Sequence, residues 1–366
     1  MRRALGVVAA LALLGGVAFA LIPDDHEDDP KKDAKTVTVT GLIGSEKRAF
    51  FENDEVKAEL AKQGLEVRTD STGSWTMSDQ AGKKPGLDFA FPASAAPARE
   101  IQRIWNLQDS PLVPFYSPLV IVAHEPVANV LKQNRLAEKD PTGVWTFRMD
   151  EYVNALKSGR RWEDLDGARE HPELSGQLFV TTTDPESSSS GAMYLALLSY
   201  VVNNHQVVSD DAGVAAVKDV VHTANALQGI QKSSSDEPFR DFGAGIGSPL
   251  IFAYESQAAA LSLQGKPTGD MVVLYPDTTV YSDHTVVAHS ANGRRLAEVL
   301  QNDEVLRGLE ARFGLRPQAK PEAFANLMHG KSPTFAPDLT AARIKQATLP
   351  SLDNLLKLTA VAKGTK

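Results

Sequence analysis

Four consecutive serines, Ser187 to Ser190, sit in the stretch TTTDPESSSSG at residues 181–191. A hydroxyl both donates and accepts hydrogen bonds, so its surroundings decide what it can hold. Before the serines, Leu178-Phe179-Val180 reads as a short buried strand stopped by the turn signal Asp184-Pro185. After them, AMYLALLSYVV at residues 192–202 is apolar nearly all round and predicts a buried helix. The serines therefore fall at a helix N-terminus, which Ser189 or Ser190 is expected to cap. Unpartnered first-turn N–H groups and the positive end of the helix dipole lie at such a place. With the hydroxyls they form a socket for an oxygen-rich or anionic ligand. A solvated serine-rich loop has the same composition.

Other residues that could do chemistry are sparser. G-x-S-x-G, S-x-x-K and H-E-x-x-H are absent, which removes the local signatures of several hydrolase classes. His284 and His289 are five apart, off the same-face spacing of a helix and on opposite faces of a strand, so core or surface histidines are expected rather than metal ligands. Asp184 before proline reads as a turn residue. Glu255 is either a structural ion-pair partner or an acceptor for a ligand that carries a proton, because a buried carboxylate facing an anion is costly unless one is protonated. Trp75 reads as a core residue or a ring stacked on a ligand. The glycines at Gly243, Gly245 and Gly247 lack the spacing and the preceding strand of a dinucleotide loop.

The elements that must position these groups follow from periodicity. Residues 36–40 alternate as a strand, 65–69 form another and 87–91 a third. Helical segments come between, after Ser45, from Asn53 to Gly64 and from about Ala98 to Trp105. This alternation implies a parallel sheet covered by helices, with ligands beyond the carboxyl ends of its strands. Gly44-Ser45, Ser71-Thr72-Gly73-Ser74 and Pro92-Ala93-Ser94 occupy those ends. Two extended connections, about 113–123 and 279–288, divide the chain into an outer part and an inserted one, the plan of a two-lobed clamp. Residues 233–238 read as a loop, the region from 316 to 340 as irregular, and a last helix spans 352–360.

Of 366 residues, 42% are apolar and 23% charged, an ordinary globular composition; the net charge is −8. No basic face interleaved with aromatics appears, so nucleic acid is not an expected partner. The chain has no cysteine, which excludes disulfides, thiolate metal sites and a lipid-modified N-terminal Cys. Arg2-Arg3 precede an uncharged apolar run to Ile22, followed by the acidic DDHEDD. Residues 1–22 therefore read as a secretory signal cleaved near Ala18-Phe19-Ala20 or as an uncleaved transmembrane anchor, with the remainder outside the cytoplasm. Residues 23–35 read as an unstructured linker.

The motifs Gly44-Ser45, Ser71–Ser74, Thr183–Gly191, Tyr254-Glu255-Ser256 and Arg312–Pro317 resemble the type II periplasmic solute-binding proteins of ABC importers, in particular the sulfate, molybdate and phosphate binders. The resemblance spans residues 36–317. It implies an α/β fold of two lobes, each a mixed, mostly parallel sheet flanked by helices, joined by two hinge strands. Residues 36–118 and 283–366 would form lobe I and 119–282 the inserted lobe II. It implies ligand contacts from Ser45, Ser71, Ser74, Ser189, Ser190, Tyr254 and Glu255, with no catalytic residue, metal or cofactor. The implied partners are a small polar or anionic solute and an ABC permease, served by a monomer held at the membrane through its N-terminal helix. A membrane-tethered sensor of the same fold is the alternative, and a hydrolase using the cleft a more distant one.

Overall fold

The computed structural model describes residues 36–365. The expected signal or anchor at 1–22 and the linker at 23–35 lie outside these residues. Among the described residues no helix is long and apolar enough to cross a membrane.

The first part alternates as its periodicity requires. β1 (Val37–Ile43) leads through a 3-10 turn at Ser45–Lys47 into α1 (Arg48–Glu52). Asn53 then caps α2 (Asp54–Lys62), its side chain accepting from the N–H groups of Glu55 and Val56. Gly64, at φ 70°, reverses the chain into β2 (Leu65–Ser71). There follow α3 (Ser74–Ala81), β3 (Phe89–Phe91) and α4 (Ala95–Ile104). β1 pairs in parallel with both β2 and β3, the arrangement that helical crossovers demand. β4 (Leu112–His124) is a 13-residue strand.

The inserted part contains α5 (Glu125–Gln133), β5 (Ala137–Lys139), β6 (Trp145–Phe147) and α6 (Met149–Lys157). Next come α7 (Ser189–Val202), α8 (Asp211–Ala226) and α9 (Asp236–Gly243), then β7 (Ile251–Tyr254), α10 (Glu255–Leu263) and β8 (Met271–Pro276). The chain returns through β9 (Thr278–Thr279) and β10 (Tyr281–Ala288). It ends with α11 (Ala291–Asn302), α12 (Glu304–Arg312), β11 (Arg316–Pro317), α13 (Glu322–Met328), β12 (Lys345–Gln346) and α14 (Leu352–Lys363).

The strands run β2-β1-β3-β10-β4-β8-β6-β5, with β7 and β11 also paired to β4. β4 changes partners midway. Up to Pro118 it is antiparallel to β10, with Pro118 opposite Tyr281; from Leu119, opposite Tyr254, it is antiparallel to β7 and then β8. Each half carries its own core. Phe50, Phe51, Phe91, Phe115, Leu296 and Leu306 fill one; Trp145, Tyr152, Tyr194, Val217 and Leu274 fill the other. The tail contacts both parts of the chain: α13 lies against α12 and β11, and α14 against α7 and α8. Leu358 and Ala362 of α14 join the core of α7 and α8, and Phe324 and Phe335 pack with Val120 and Ile251.

Local differences from the sequence expectation have local causes. Leu178-Phe179-Val180 is buried or half-buried but joins no ladder; only Thr181 bridges to Ile251. Ser188, not Ser189 or Ser190, is the N-cap of α7, and it makes no side-chain cap bond because its hydroxyl is 3.1 Å from that of Ser190. Residues 233–238, expected as loop, contain the start of α9, and α13 lies within the stretch expected to be irregular.

One buried pair ties the tail to the sheet. Arg316 donates from Nε to Glu255 Oε2 at 2.7 Å and from Nη2 to Oε1 at 2.8 Å. Its remaining donors reach the carbonyls of Ala336 (2.6 Å) and Pro337 (3.1 Å), and its guanidinium lies 4.0 Å from the ring centre of Phe324. Tyr275 completes the network by donating to Glu255 and accepting from the Ala336 N–H. Removing one partner of a buried pair strands the other charge. Arg316→Ala is therefore expected to lower unfolding free energy by about 3–5 kcal/mol in urea denaturation. The double change Arg316→Met with Glu255→Gln should cost less; a single-variant loss below about 1 kcal/mol, the size of an exposed pair, would contradict the assignment.

Candidate functional site

The strand ends converge as their shared polarity requires. Ser45, opening the turn after β1, has Oγ 2.7 Å from Oγ of Ser234, just before α9. Ser74, the first residue of α3, accepts from the Ala93 N–H at 3.1 Å and so fastens the end of β3 to α3. Ser94, at the start of α4, has Oγ 3.0 Å from that of Ser189 at the start of α7. Ser190 lies 2.6 Å from Thr183 Oγ1. Tyr254, fully buried, places its hydroxyl beside Ser190 and Ser282. These groups from separated parts of the chain form one seam of hydroxyls.

Backbone closes the same seam. Trp75 N–H donates to Ser187 O at 3.2 Å. Gly73 is pressed so close that a Cβ there would stand 2.3 Å from Ser187 O and 3.1 Å from Ser233 O, so a side chain has no room. Trp75 packs with Ala192, Ala196 and Leu355 and is core in that sense, while its indole N–H has no hydrogen-bond partner among the described residues.

Ser45, Ser74, Ser189, Ser190 and Tyr254 are thus brought together. Ser71 is not: it ends β2 on an exposed edge, accepting from Arg48 Nε at 3.1 Å. Glu255 follows Tyr254 in sequence, but its carboxylate is wholly engaged by Arg316 and Tyr275, the structural ion-pair alternative of the two weighed from sequence.

Periodicity did not reveal the charged floor of the seam. Lys47, completely buried, contacts the carboxylate of Glu46 and lies 3.0 Å from His284 Nδ1. Burial alone would push the Glu46 carboxyl up; Lys47 and His284 override it and hold it at about 2. Burial, followed by the neighbouring Lys47 ammonium, presses His284 down to about 4. A neutral His284 whose Nδ1 accepts from Lys47 carries its proton on Nε2, 3.4 Å from Ser282 Oγ. Ser282 in turn donates to the Ala93 carbonyl, beside Ser94. Asp236, at the start of α9, is a second carboxylate here. It accepts from Gln257 Nε2 at 3.1 Å, lies beside Ser45 and has no ion-pair partner among the described residues; burial and then Glu46 raise its carboxyl. The only sequence signal for this floor was that Glu46-Lys47 directly follow Gly44-Ser45.

No family model matches the chain, and no curated protein matches it in sequence. Solved structures do match in fold. The sulfate-binding protein SubI from Mycobacterium tuberculosis H37Rv is 16% identical with a TM-score of 0.54, over 90% of this chain and 99% of that one. The periplasmic binding protein AfuA from Actinobacillus pleuropneumoniae, solved with exogenous fructose-6-phosphate, is 11% identical with a TM-score of 0.58, over 89% and 97%. A putative spermidine/putrescine ABC transporter protein from Listeria monocytogenes is 13% identical with a TM-score of 0.55, over 89% and 98%. The chain therefore has the α/β fold of the periplasmic binding proteins, the fold implied by the sequence resemblance.

Proposed function

We propose that this chain is an extracytoplasmic solute-binding protein that captures a small polar solute between two lobes by hinge closure and presents it to an ABC permease. Residues 36–118 and 283–366 would form one lobe and 119–282 the other, with α13 lying against α12 and β11 of the first and α14 reaching across to α7 and α8 of the second. The N-terminal apolar run directs export and, if uncleaved, tethers the protein. The observation that supports this reading most is the hydroxyl seam: Ser45 and Ser74 from one lobe meet Ser189, Ser190 and Ser234 from the other. β4 and β9–β10, shared by both halves, are the elements able to absorb the backbone change. A solute that contacts both faces at once shifts the population toward closure.

The charges restrict the solute. The hydroxyls and the first-turn amides of α7 suit an oxyanion. Asp236 beside Ser45 requires that this oxyanion carry a proton, or that the solute be a neutral polyol, because two facing anions in a partly buried site repel. The proton-accepting role weighed for Glu255 thus passes to Asp236.

Ser45→Ala and Ser190→Ala are each expected to weaken the same solute by about tenfold, as loss of one hydrogen bond does in a desolvated site. Gly73→Ala should weaken it further by blocking approach of the faces. Calorimetry after a thermal-shift panel of phosphate, sulfate, molybdate and sugars checks this; sensitivity confined to one side of the seam would remove the clamp.

The floor predicts an acid limit. His284 binds its proton at about 4 in the folded chain against 6.5 unfolded, so the unfolded state holds more protons between those values and stability falls as pH drops from 6.5 to 4. Glu46, at about 2 against 4.5, adds a loss from 4.5 downward. His284→Asn keeps an acceptor for Lys47 without titrating. Its denaturation midpoint should vary less over pH 6.5–4 than the parent's, by on the order of 2–3 kcal/mol in unfolding free energy. Superimposable pH profiles would refute the assignment.

A further inference from the structure

One apolar contact joins the two halves beside the hydroxyls. Trp75 belongs to α3 of the outer half, yet it shares a cluster with Ala192 and Ala196 of α7 and Leu355 of α14. Ala96 of α4 and Leu349 and Leu352 of the tail pack against the same cluster. Ala192 and Ala196 are four apart and fall on one face of α7, where their small side chains leave a slot for an indole. Leu352 and Leu355, three apart, lie on one side of α14.

The segment that carries these leucines is pinned to the inserted half at both ends. Upstream, the Lys345 N–H donates to Asp277 O at 2.9 Å and the Ala347 N–H to Thr279 O at 2.7 Å, joining β12 to β9. Downstream, Leu358 and Ala362 sit in the core of α7 and α8. Asn354 Nδ2 donates to Val208 O at 3.4 Å, while His222 Nδ1 and Asn225 Nδ2 donate to Ala362 O at 3.1 and 3.2 Å. A stretch fastened on both sides does not retreat when pushed, so residues 349–355 stand as a wall for Trp75.

The contact is also suited to release. An indole brings a large apolar surface into the slot, but its N–H is buried without a partner among the described residues. A buried donor left unpaired offsets part of the gain from burial, and water satisfies that donor once the ring leaves. Gain and cost thus oppose each other at a single residue, as a contact that opens and closes requires.

We propose that residues 345–363 form a strap on the inserted half and that Trp75 latches the outer half to it, setting the resting balance between open and closed lobes without any solute. This rests on the two-lobe reading but not on what the seam binds. A latch outside the seam adds to the contacts of any solute that bridges the lobes. Loosening it lowers apparent affinity in proportion to the fraction of molecules left closed.

The test measures the distance between the halves in the full chain with no solute added. The chain has no cysteine, so spin labels on Asp79→Cys of α3 and Ile230→Cys, both exposed, report that distance by pulsed electron resonance. The parent is expected to show mainly the short distance. Trp75→Ala and Leu355→Ala should each raise the ratio of long to short distances by about tenfold or more. Trp75→Phe keeps a ring in the slot and drops the unpaired N–H, so its ratio should stay near the parent's. Should Leu355→Ala fail to fold, Trp75→Ala decides. A Trp75→Ala distribution matching the parent's overturns the proposal, as does opening by Trp75→Phe as large as by Trp75→Ala. Loss of the folded state in Trp75→Ala, read by far-ultraviolet circular dichroism, makes Trp75 a core residue and overturns it too. The expected opening in a chain that binds no solute of the panel keeps the strap and removes the solute reading instead.

Discussion

The structure depends on one strand serving two sheets. β4 hydrogen-bonds to β10 up to Pro118 and to β7 and β8 from Leu119. A continuous strand transmits its direction and pleat, so the two halves cannot choose their orientations independently. The switch falls where Pro118 lacks an N–H, so the strand loses a donor at the point where its neighbours change. Each half then builds its own main apolar core on its own side of that point, and between them lie a small apolar contact of Trp75 with Ala192, Ala196 and Leu355 and the hydroxyl seam. The seam is the polar remainder left between two separately completed cores.

That remainder satisfies itself. Ser45 bonds Ser234, Ser94 bonds Ser189, and Thr183, Ser188 and Ser190 bond one another. Buried hydroxyls must find partners, and here they find them in one another. A solute of the proposed kind would compete with these hydrogen bonds, and its net gain would come from what hydroxyls cannot offer one another: a full charge or a rigid set of acceptors. The buried Glu46–Lys47–His284 group holds the floor in register from below. It spends its charges internally and transmits position through Ser282 to the backbone beside Ser94.

Much of this was legible in the sequence, for identifiable reasons. β1, β2, β4, β7, β8 and the flanking helices follow from period-two and period-3.6 patterns, and Asn53, Asp210 and Ser290 cap helices as their types suggest. The hydroxyl-rich corners were visible because serine and glycine cluster after β1 and β2 and just before α7. What was not legible depends on partners remote in sequence. Leu178–Val180 has the composition of a strand, but its neighbours meet it only in single bridges at either end, Arg161 with Gln177 and Thr181 with Ile251, and the Val180 N–H is taken by the Tyr152 hydroxyl. Glu255 could be assigned to Arg316 only once the chain had folded 61 residues back on itself. His284 sits in an ordinary strand pattern; its role comes from Lys47, 237 residues away. Ser71 shares the local pattern of Ser74 and differs only in which side of the loop it falls on.

The last turn of α14 carries a mechanical implication. Lys363 Nζ lies 3.2 Å from both carboxylate oxygens of Asp184, the residue that opens the turn bearing the four serines. Asp184 also accepts, through its backbone carbonyl, from the N–H groups of Ser187 and Ser188. The end of α14 is thus two bonds removed from the hydroxyls of the seam. A load applied to α14 would therefore reach the serine turn through this ion pair before it reached the core, which makes the last helix a lever on that turn.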